Sequence, residues 1–340
     1  MNRVRSAIAG APIYTILVAS IVLIIVADPS FASPGSFLVF VVQPAAAAMI
    51  LAAGEVVVLI TGEFDVSIGS LVTVVVLAAA ALLRGESSGL WWVLVLLAGI
   101  GLTVGLTNGI LSTVLGVPSF IATLGMQLVL AGGIFLFTGG APAGSLPSTF
   151  SFLGDGSFFG VPVLGTLPYA VIVLVPIGAL LIWILHHTDF GHQVFAVGSN
   201  PRAAALSGVS VTRVKIGAFL VSGVCAVVGG ILIGGFGGVS PTAGQGLEFQ
   251  AIAAAVLGGA VLGGGKGSVL GAMAGALTLE CLFTVITVYG LPDPLRYAVQ
   301  GAALMAAAAY SARRLQLGGF SSHRRVSSAE KGVVGIEQEG

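Results

Sequence analysis

The sequence predicts an all-α, polytopic membrane protein with about ten transmembrane helices. Of its 340 residues, 56% are hydrophobic and only 8% are charged, whereas a soluble domain carries about 25% charged residues. So little charge cannot cover the surface of a globule, and the outer face therefore meets lipid. The apolar residues also come in runs of about 20, the length that crosses a bilayer as helix, the form in which backbone groups in lipid bond internally. The 51 glycines exceed what most soluble folds carry and suit close helix packing in a membrane.

Breaks at charged, Gly/Pro and Asn/Asp clusters divide the chain into spans at roughly 12–28, 37–60, 67–83, 90–113, 118–138, 166–186, 214–238, 247–262, 268–289 and 295–311. The first follows "MNRVR" and has the pattern of a signal peptide cleaved near Ala32 as well as that of a first span. The many spans behind it favour the second reading. The stretches 67–83 and 247–262 are short, and a broken or re-entrant helix stays open for both.

Lys and Arg in the short loops set orientation. With the N-terminus inside, the inner side receives Arg3, Arg5, Arg202, Arg213, Lys215, Lys266, Arg313, Arg314, Arg324, Arg325 and Lys331. The outer side receives only Arg84 and, at a membrane edge, Arg296. An even number of spans then puts both basic termini in the cytoplasm, with the protein in the cell inner (plasma) membrane. The expected organisation is a cytoplasmic N-terminus at 1–11, a membrane domain at 12–311 and a disordered cytoplasmic tail at 312–340. Within the membrane domain a polar island at about 187–213 is cytoplasmic, and 139–165 is the longest outer loop. That loop has one charge, Asp155, and four phenylalanines, which suits packing on the membrane surface or against a partner.

Gly-xxx-Gly pairs recur at Gly101/Gly105, Gly230/Gly234, Gly259/Gly263 and Gly271/Gly275. They let helices approach closely, for most of them within one subunit. Cys225 and Cys281 lie in apolar runs and read as small packing residues. With 13 basic and 13 acidic residues the net charge is zero, which argues against a nucleic-acid partner.

Catalytic chemistry is missing. A phosphate-loop reading of "AVLGGGKGS" (260–268) fails because Ala260 stands where the motif needs Gly and Gly267 where it needs Ser or Thr. The stretch reads as a glycine turn between spans with Lys266 as an inner anchor, and no nucleotide hydrolysis is expected of this chain. His186, His187 and His192 lie near Asp189, but Gly191 argues against a continuous helix there and no Cys is near. They read as polar loop residues and not as a metal site. With no nucleophile, acid–base or metal set, neither an enzyme nor a cofactor is expected.

The island, "HHTDFGHQVFAVGSNPRAAALSGVSVTRVK" (186–215), is ordered by its own chemistry. Asn200 is a good N-cap, Pro201 suits the first helical position, Arg202–Ser207 is rich in Ala and Leu, and Gly208 suits a left-handed C-cap. Ser210 or Thr212 then starts the next span. Two turns of helix are marginal alone in water, so something must hold them. The residues by themselves fit a surface that docks into a partner and a well-formed loop equally.

Four blocks in order resemble the permease subunits of ribose-type sugar ABC transporters: "GEFDVSIGS" (62–70), "GVPSFIATLG" (116–125), "FGHQVFAVGSNPRAAALSGVSVTRVK" (190–215) and "GLEFQAIAAAVLGGAVLGGGKGSVLGAMAGAL" (246–277). The resemblance runs from about Ser36 to Tyr310. It implies the ribose-type ABC importer permease fold, with a cytoplasmic loop whose short coupling helix sits in a groove of the ATPase subunit. By position that places Asn200, Arg202, Ala205, Leu206, Ser207 and Gly208 at the ATPase interface. It also implies a periplasmic solute-binding protein outside and a second permease copy, as a homodimer or a heterodimer with a paralogue. ATP hydrolysis would belong to a separate subunit.

The chain departs from the family pattern in places. Glu63 replaces a glycine, Glu55 stands where an apolar residue is usual, Gln250 replaces an Asp, and Glu280 replaces Gly in a stretch that lacks two adjacent asparagines. These changes leave the identity of the solute open.

The candidate pathway residues are Glu55, Asp65, Gln250 and Glu280. A carboxylate in mid-span costs about 2.5–3.5 kcal/mol on insertion scales and faces the bundle interior or water. A polar lining role for Glu55 or Glu280 competes with a protonated interfacial one and with a hydrogen bond that only fixes packing. For Asp65, just ahead of a span, an N-cap is the plain reading and direct solute contact the other. Gln127 and Asn108 read as helix–helix hydrogen-bonding groups. Three other functions compete. An ion-coupled secondary transporter would use midplane carboxylates but leaves the capped island unexplained. A membrane-embedded enzyme lacks its residues. An ABC permease for a furanone autoinducer, inositol or a branched-chain amino acid would share the same blocks.

Overall fold

The computed structural model of the protein describes residues 12–139, 144–292, 294–306 and 308–309. The N-terminal segment 1–11 and the tail 312–340, with Arg3, Arg5, Arg313, Arg314, Arg324, Arg325 and Lys331 of the orientation argument, lie outside the described residues.

The first helix, α1 (Pro12–Ala27), ends at a 3₁₀ turn (Pro29–Ala32) capped by Asp28, whose Oδ1 accepts from Ser30 N at 2.9 Å. The second, α2 (Pro34–Ile60), carries a π turn over Leu38–Val42. Pro44 explains it. Proline has no N–H and its ring crowds the carbonyl four residues back, so the wider turn absorbs the misfit. From Ala45 to Ile60 every residue of α2 is buried, as befits a helix that is apolar all round and surrounded by others.

There follow α3 (Ile68–Leu83), α4 (Leu90–Thr113), α5 (Ser119–Thr138) and a short α6 (Ser148–Asp155). The strands β1 (Ser157–Val161) and β2 (Gly165–Pro168) pair antiparallel, with Phe158 opposite Leu167. Then come α7 (Tyr169–His187), α8 (Asp189–Ser199), α9 (Pro201–Leu206), α10 (Val211–Gly237), α11 (Leu247–Leu257), α12 (Val269–Val288) and a last helix, α13, over 294–306. Each expected span has its helix: α1 to α5, α7, and α10 to α13. To the all-α expectation the structure adds one short hairpin.

Three expectations need correcting. The span expected at 247–262 is an 11-residue helix about 16 Å long, half the ~30 Å hydrocarbon core. Residues 258–262 belong to the glycine turn, and the chain enters α11 through non-helical backbone at 238–246. No continuous helix crosses 186–192, as expected, but the break lies at Thr188 and not at Gly191: α8 runs through the glycine, started by Thr188, whose Oγ1 accepts from Gly191 N at 3.2 Å. A Cβ on residue 191 would lie 2.2 Å from the Leu185 carbonyl oxygen, so the glycine lets α8 fold back against the end of α7. Finally, Gly259/Gly263 is part of a turn with open space at both positions.

At the centre, α10 packs against α2, α3, α4 and α6, while α2 also meets α7, α11 and α12. The first helix lies along α12, with Ile24, Val41 and Cys281 in one cluster. The other glycine pairs act inside the chain. A Cβ on Gly105 of α4 would stand 2.5 Å from the Phe219 carbonyl oxygen of α10, and one on Gly275 of α12 would stand 2.1 Å from that of Ala254 in α11. Short helix α6 sits on α10 through Phe150, and Gln43 of α2 donates to its Gly154 carbonyl at 2.8 Å. The helices α4, α5 and α7 carry the outward apolar surface, including Val95, Leu128, Leu136 and Val175.

Candidate functional site

The island lies at the end of the bundle where α2 stops and α10 begins. Asn200 caps α9, its Oδ1 accepting from Ala203 N at 3.1 Å, and Pro201 opens the helix. At the other end Gly208 has φ +85°, a left-handed conformation that favours glycine. There Gly208 N and Val209 N donate to the carbonyls of Ala205 and Ala204 at 3.0 Å each, closing the last turn. Only Ala204 faces inward. Arg202, Ala205, Leu206, Ser207 and Gly208 are exposed, Leu206 to 91%. Ser210 takes the N-cap position of α10 without a side-chain bond.

Behind α9, three segments meet backbone to backbone. Gly265 N donates to the Ile60 carbonyl at 2.8 Å, and a Cβ on Gly198 would sit 1.7 Å from that same oxygen. Thus the end of α8, the end of α2 and the glycine turn before α12 touch one another. Lys215 at the start of α10 forms an ion pair with Glu63 in the loop after α2. The rings of His186 and His192 bond the Ile182 and Thr188 carbonyls at 2.9 and 2.8 Å. No cluster of three metal-ligating His, Cys, Asp or Glu side chains occurs among the described residues.

One step deeper, 61–67 folds back into the bundle before α3 begins. Such irregular backbone is tolerated at membrane depth only when protein buries it, and here buried polar groups bond it. Asp65 Oδ1 accepts from Ser67 N at 3.1 Å, from Ser67 Oγ at 2.6 Å and from Asn108 Nδ2 at 3.4 Å. Its Oδ2 accepts from Ser222 Oγ at 2.8 Å. Glu55 Oε1 accepts from Asp65 N at 3.2 Å, while Oε2 has no protein partner. The structure thus brings Glu55 and Asp65 together, in a fully buried cluster built from α2, α4, α10 and the loop. The N-cap position of α3 is Ser67, and Asp65 acts on it from two residues upstream.

Gln250 and Glu280 lie elsewhere. Gln250 is buried on α11. Glu280 is half-buried on α12, within electrostatic reach of Arg296, which donates to Thr287 Oγ1 at 2.6 Å.

Sequence reasoning missed a third buried carboxylate. Glu248, in the first turn of α11, is 4% exposed, and its Oε1 accepts from Gln127 Nε2 of α5 at 3.1 Å. Gly244 N donates to Thr73 Oγ1 of α3 at 3.0 Å, and the backbones of Gly69 and Gly244 touch. The signal was present: an acidic residue two positions after a glycine, opening a short apolar run. It goes unread because hydropathy marks 247–262 only as one short apolar stretch, full span or re-entrant helix, in which such a residue sits at an end.

Residues 37–308 match the family described as branched-chain amino acid transport system / permease component. The ribose import permease protein RbsC of Escherichia coli (strain K12) is 33% identical over 294 residues, 84% of this chain and 89% of that protein. The autoinducer 2 import system permease protein LsrC of Enterobacter sp. (strain 638) is 39% identical over 245 residues, 72% of this chain and 69% of that protein. The fructose import permease protein FrcC of Rhizobium meliloti is 31% identical over 313 residues, 90% of this chain and 85% of that protein. No solved structure matches.

Proposed function

The chain belongs to the branched-chain amino acid transport system / permease component family, among the permeases of ribose-type ABC importers, and on that premise we propose that it is the membrane subunit of an ATP-driven importer for a monosaccharide or similar small polar solute. The observation that carries this reading is α9. It is a six-residue helix capped at both ends, and it turns Leu206 out to solvent at 91% exposure. A helix so short is not stable alone, and an exposed leucine on a preformed turn is an anchor for a groove in another protein. That protein is a separate ATPase subunit, engaged by Asn200, Arg202, Ala205, Leu206, Ser207 and Gly208.

The Lys and Arg distribution puts the island and both termini in the cytoplasm. The hairpin, with exposed Phe159 and Val163, then faces the solute-binding protein. Two permeases, identical or paralogous, enclose the pathway. Motion enters at α9 and passes to the contact of Gly198, Ile60 and Gly265 behind it. ATP binding favours one permease state only through a difference in affinity between the two.

The test is co-purification of the ATPase subunit with the tagged permease from membranes. Wild type should retain it and Leu206→Asp should lose it, with equal amounts of permease in the membrane. Retention by Leu206→Asp, together with undiminished uptake, would remove α9 from the interface. Identification of the ligand carried by the cognate binding protein decides between a sugar, a furanone and an amino acid.

A further inference from the structure

We propose that Glu63 and Lys215 are positioning residues for transport: their ion pair makes the re-entrant loop 61–67 follow α10, and with it the α9 turn on which the ATPase subunit acts. The proposal rests on the importer reading above and names how motion at α9 reaches the interior of the bundle.

Lys215 lies in the second turn of α10, and only residues 207–210 separate that helix from α9. The link is closed at both ends. Val209 N donates to the Ala204 carbonyl at 3.0 Å, and Val214 N donates to that of Ser210 at 3.1 Å. Ser222 stands seven positions after Lys215, two helical turns on and on the same face of α10. The two side chains hold alternate residues of the loop. Lys215 pairs with Glu63, and Ser222 Oγ donates to Asp65 Oδ2 at 2.8 Å. One stripe of α10 thus grips the loop at two levels.

Other elements hold the intervening residues. Phe64 N and Val66 N donate to Ser119 Oγ and Thr123 Oγ1 of α5, each at 3.1 Å. The side chains of Phe64 and Val66 pack with Ile252 and Val256 of α11. After Ser67 the chain runs straight into α3. A displacement of α10 that carries the loop therefore acts on α3, α5 and α11 together.

The two grips differ in what they answer to. Asp65 is also bonded to Glu55 of α2 and Asn108 of α4, so its bond to Ser222 fixes the loop to the bundle as a whole. Among the described residues the Glu63 carboxylate bonds only Lys215, and the pair answers to α10 alone. With side chains 13% and 18% exposed, the two charges have little water to exchange for one another, and salt screens them less than a surface pair. Glu63 stands where the family pattern has a glycine, so the contact is this chain's own.

The test is hydrogen exchange, read by mass spectrometry, on the complex of permease and ATPase subunit in lipid nanodiscs, with and without a non-hydrolysable ATP analogue. The Phe64 and Val66 amides exchange only when the loop parts from α5. In the wild type the nucleotide should change exchange over 200–208, and over 61–67 by about fivefold or more, the low end of coupling between sites. Glu63→Gln and Lys215→Met should keep the change over 200–208 and lose that over 61–67. Glu63→Lys combined with Lys215→Glu should restore it. A pair that only stabilised the fold would alter exchange over 61–67 with and without nucleotide alike and leave the nucleotide-dependent change in place. Uptake per ATP hydrolysed, read with D-ribose, D-fructose and D-galactose on the complex with its binding protein, should fall about fivefold or more in the two single variants. If Glu63→Gln retains the change over 61–67, or retains full uptake per ATP, the link is wrong and the importer reading stands. The same holds if the wild type shows no change over 61–67. If no ATPase subunit binds the wild type, the importer reading fails and the link falls with it. If none of the three sugars is imported, exchange alone decides. Should both single variants fail to assemble, the charge-swapped pair decides, and absence of the change there counts against the link.

Discussion

Asp65 Oδ2 accepts a hydrogen bond from Ser222 Oγ at 2.8 Å, joining residues 157 positions apart. The bond ties the loop that re-enters the bundle to α10, the helix that begins beside the island. Both groups are buried, so water cannot replace either partner.

Ser222→Ala should therefore lower stability by about 1–3 kcal/mol, the cost of leaving a buried acceptor unmatched. Thermal melting of the purified permease in detergent reads this directly. An unchanged Tm would mean that Asp65 finds another donor and that the bond does not hold the loop.

Glu55 makes the opposite case. It is fully buried, with one hydrogen bond from Asp65 N and one oxygen without a partner. Glu55→Gln keeps an acceptor for Asp65 N and replaces the carboxyl by a neutral amide of the same shape, which is cheaper to bury. The expected result is a Tm equal to or above that of the wild type, with uptake retained. A loss of uptake at unchanged Tm would instead put Glu55 in contact with the solute.

Two glycines on neighbouring helices separate packing from mere composition. Gly105→Val drives a side chain into the α10 backbone, since a Cβ there stands 2.5 Å from the Phe219 carbonyl oxygen. Overpacking of this kind costs about 1–3 kcal/mol, more where backbone must move, and membrane yield should fall. Gly132→Ala on α5 meets nothing within 4 Å and should be neutral or stabilise by about 0.5–1 kcal/mol through helix propensity. Equal melting temperatures for the two variants would contradict the α4–α10 contact.

The coupling role proposed for α9 is tested by its cap and its core. Gly208→Val puts a β-branched residue at φ +85°, a conformation such residues avoid. Ala204→Pro removes the bond from Ala204 N to the Asn200 carbonyl, 3.0 Å long, and costs about 3 kcal/mol in a helix interior. Both should lose the ATPase subunit and uptake while the membrane helices still melt as in the wild type. Ser210→Ala should have little effect, because Ser210 makes no side-chain cap bond. Full association and uptake with Gly208→Val would return the island to an ordinary loop.

The residues of the island announce its shape because capping is local: Asn200, Pro201 and Gly208 act on neighbours within four positions, and the structure places each as the sequence reads. The positions of the long apolar helices were legible for a similar reason, since bilayer thickness imposes a length that apolar runs must match. What the tertiary structure alone decided is which polar groups meet. Glu55, Asp65, Asn108 and Ser222 come from separate elements, and Gln127 reaches Glu248 across 121 positions. Hydropathy is silent on such pairings, because lipid tails and a helix-lined interior are equally apolar and the pattern along a span does not say which face turns inward. The halving of 247–262 was hidden in the same way. Its apolar run continues through the glycine turn, and only the contacts of Gly69 with Gly244 and of Gly258 with Gly271 determine where the helix starts and stops.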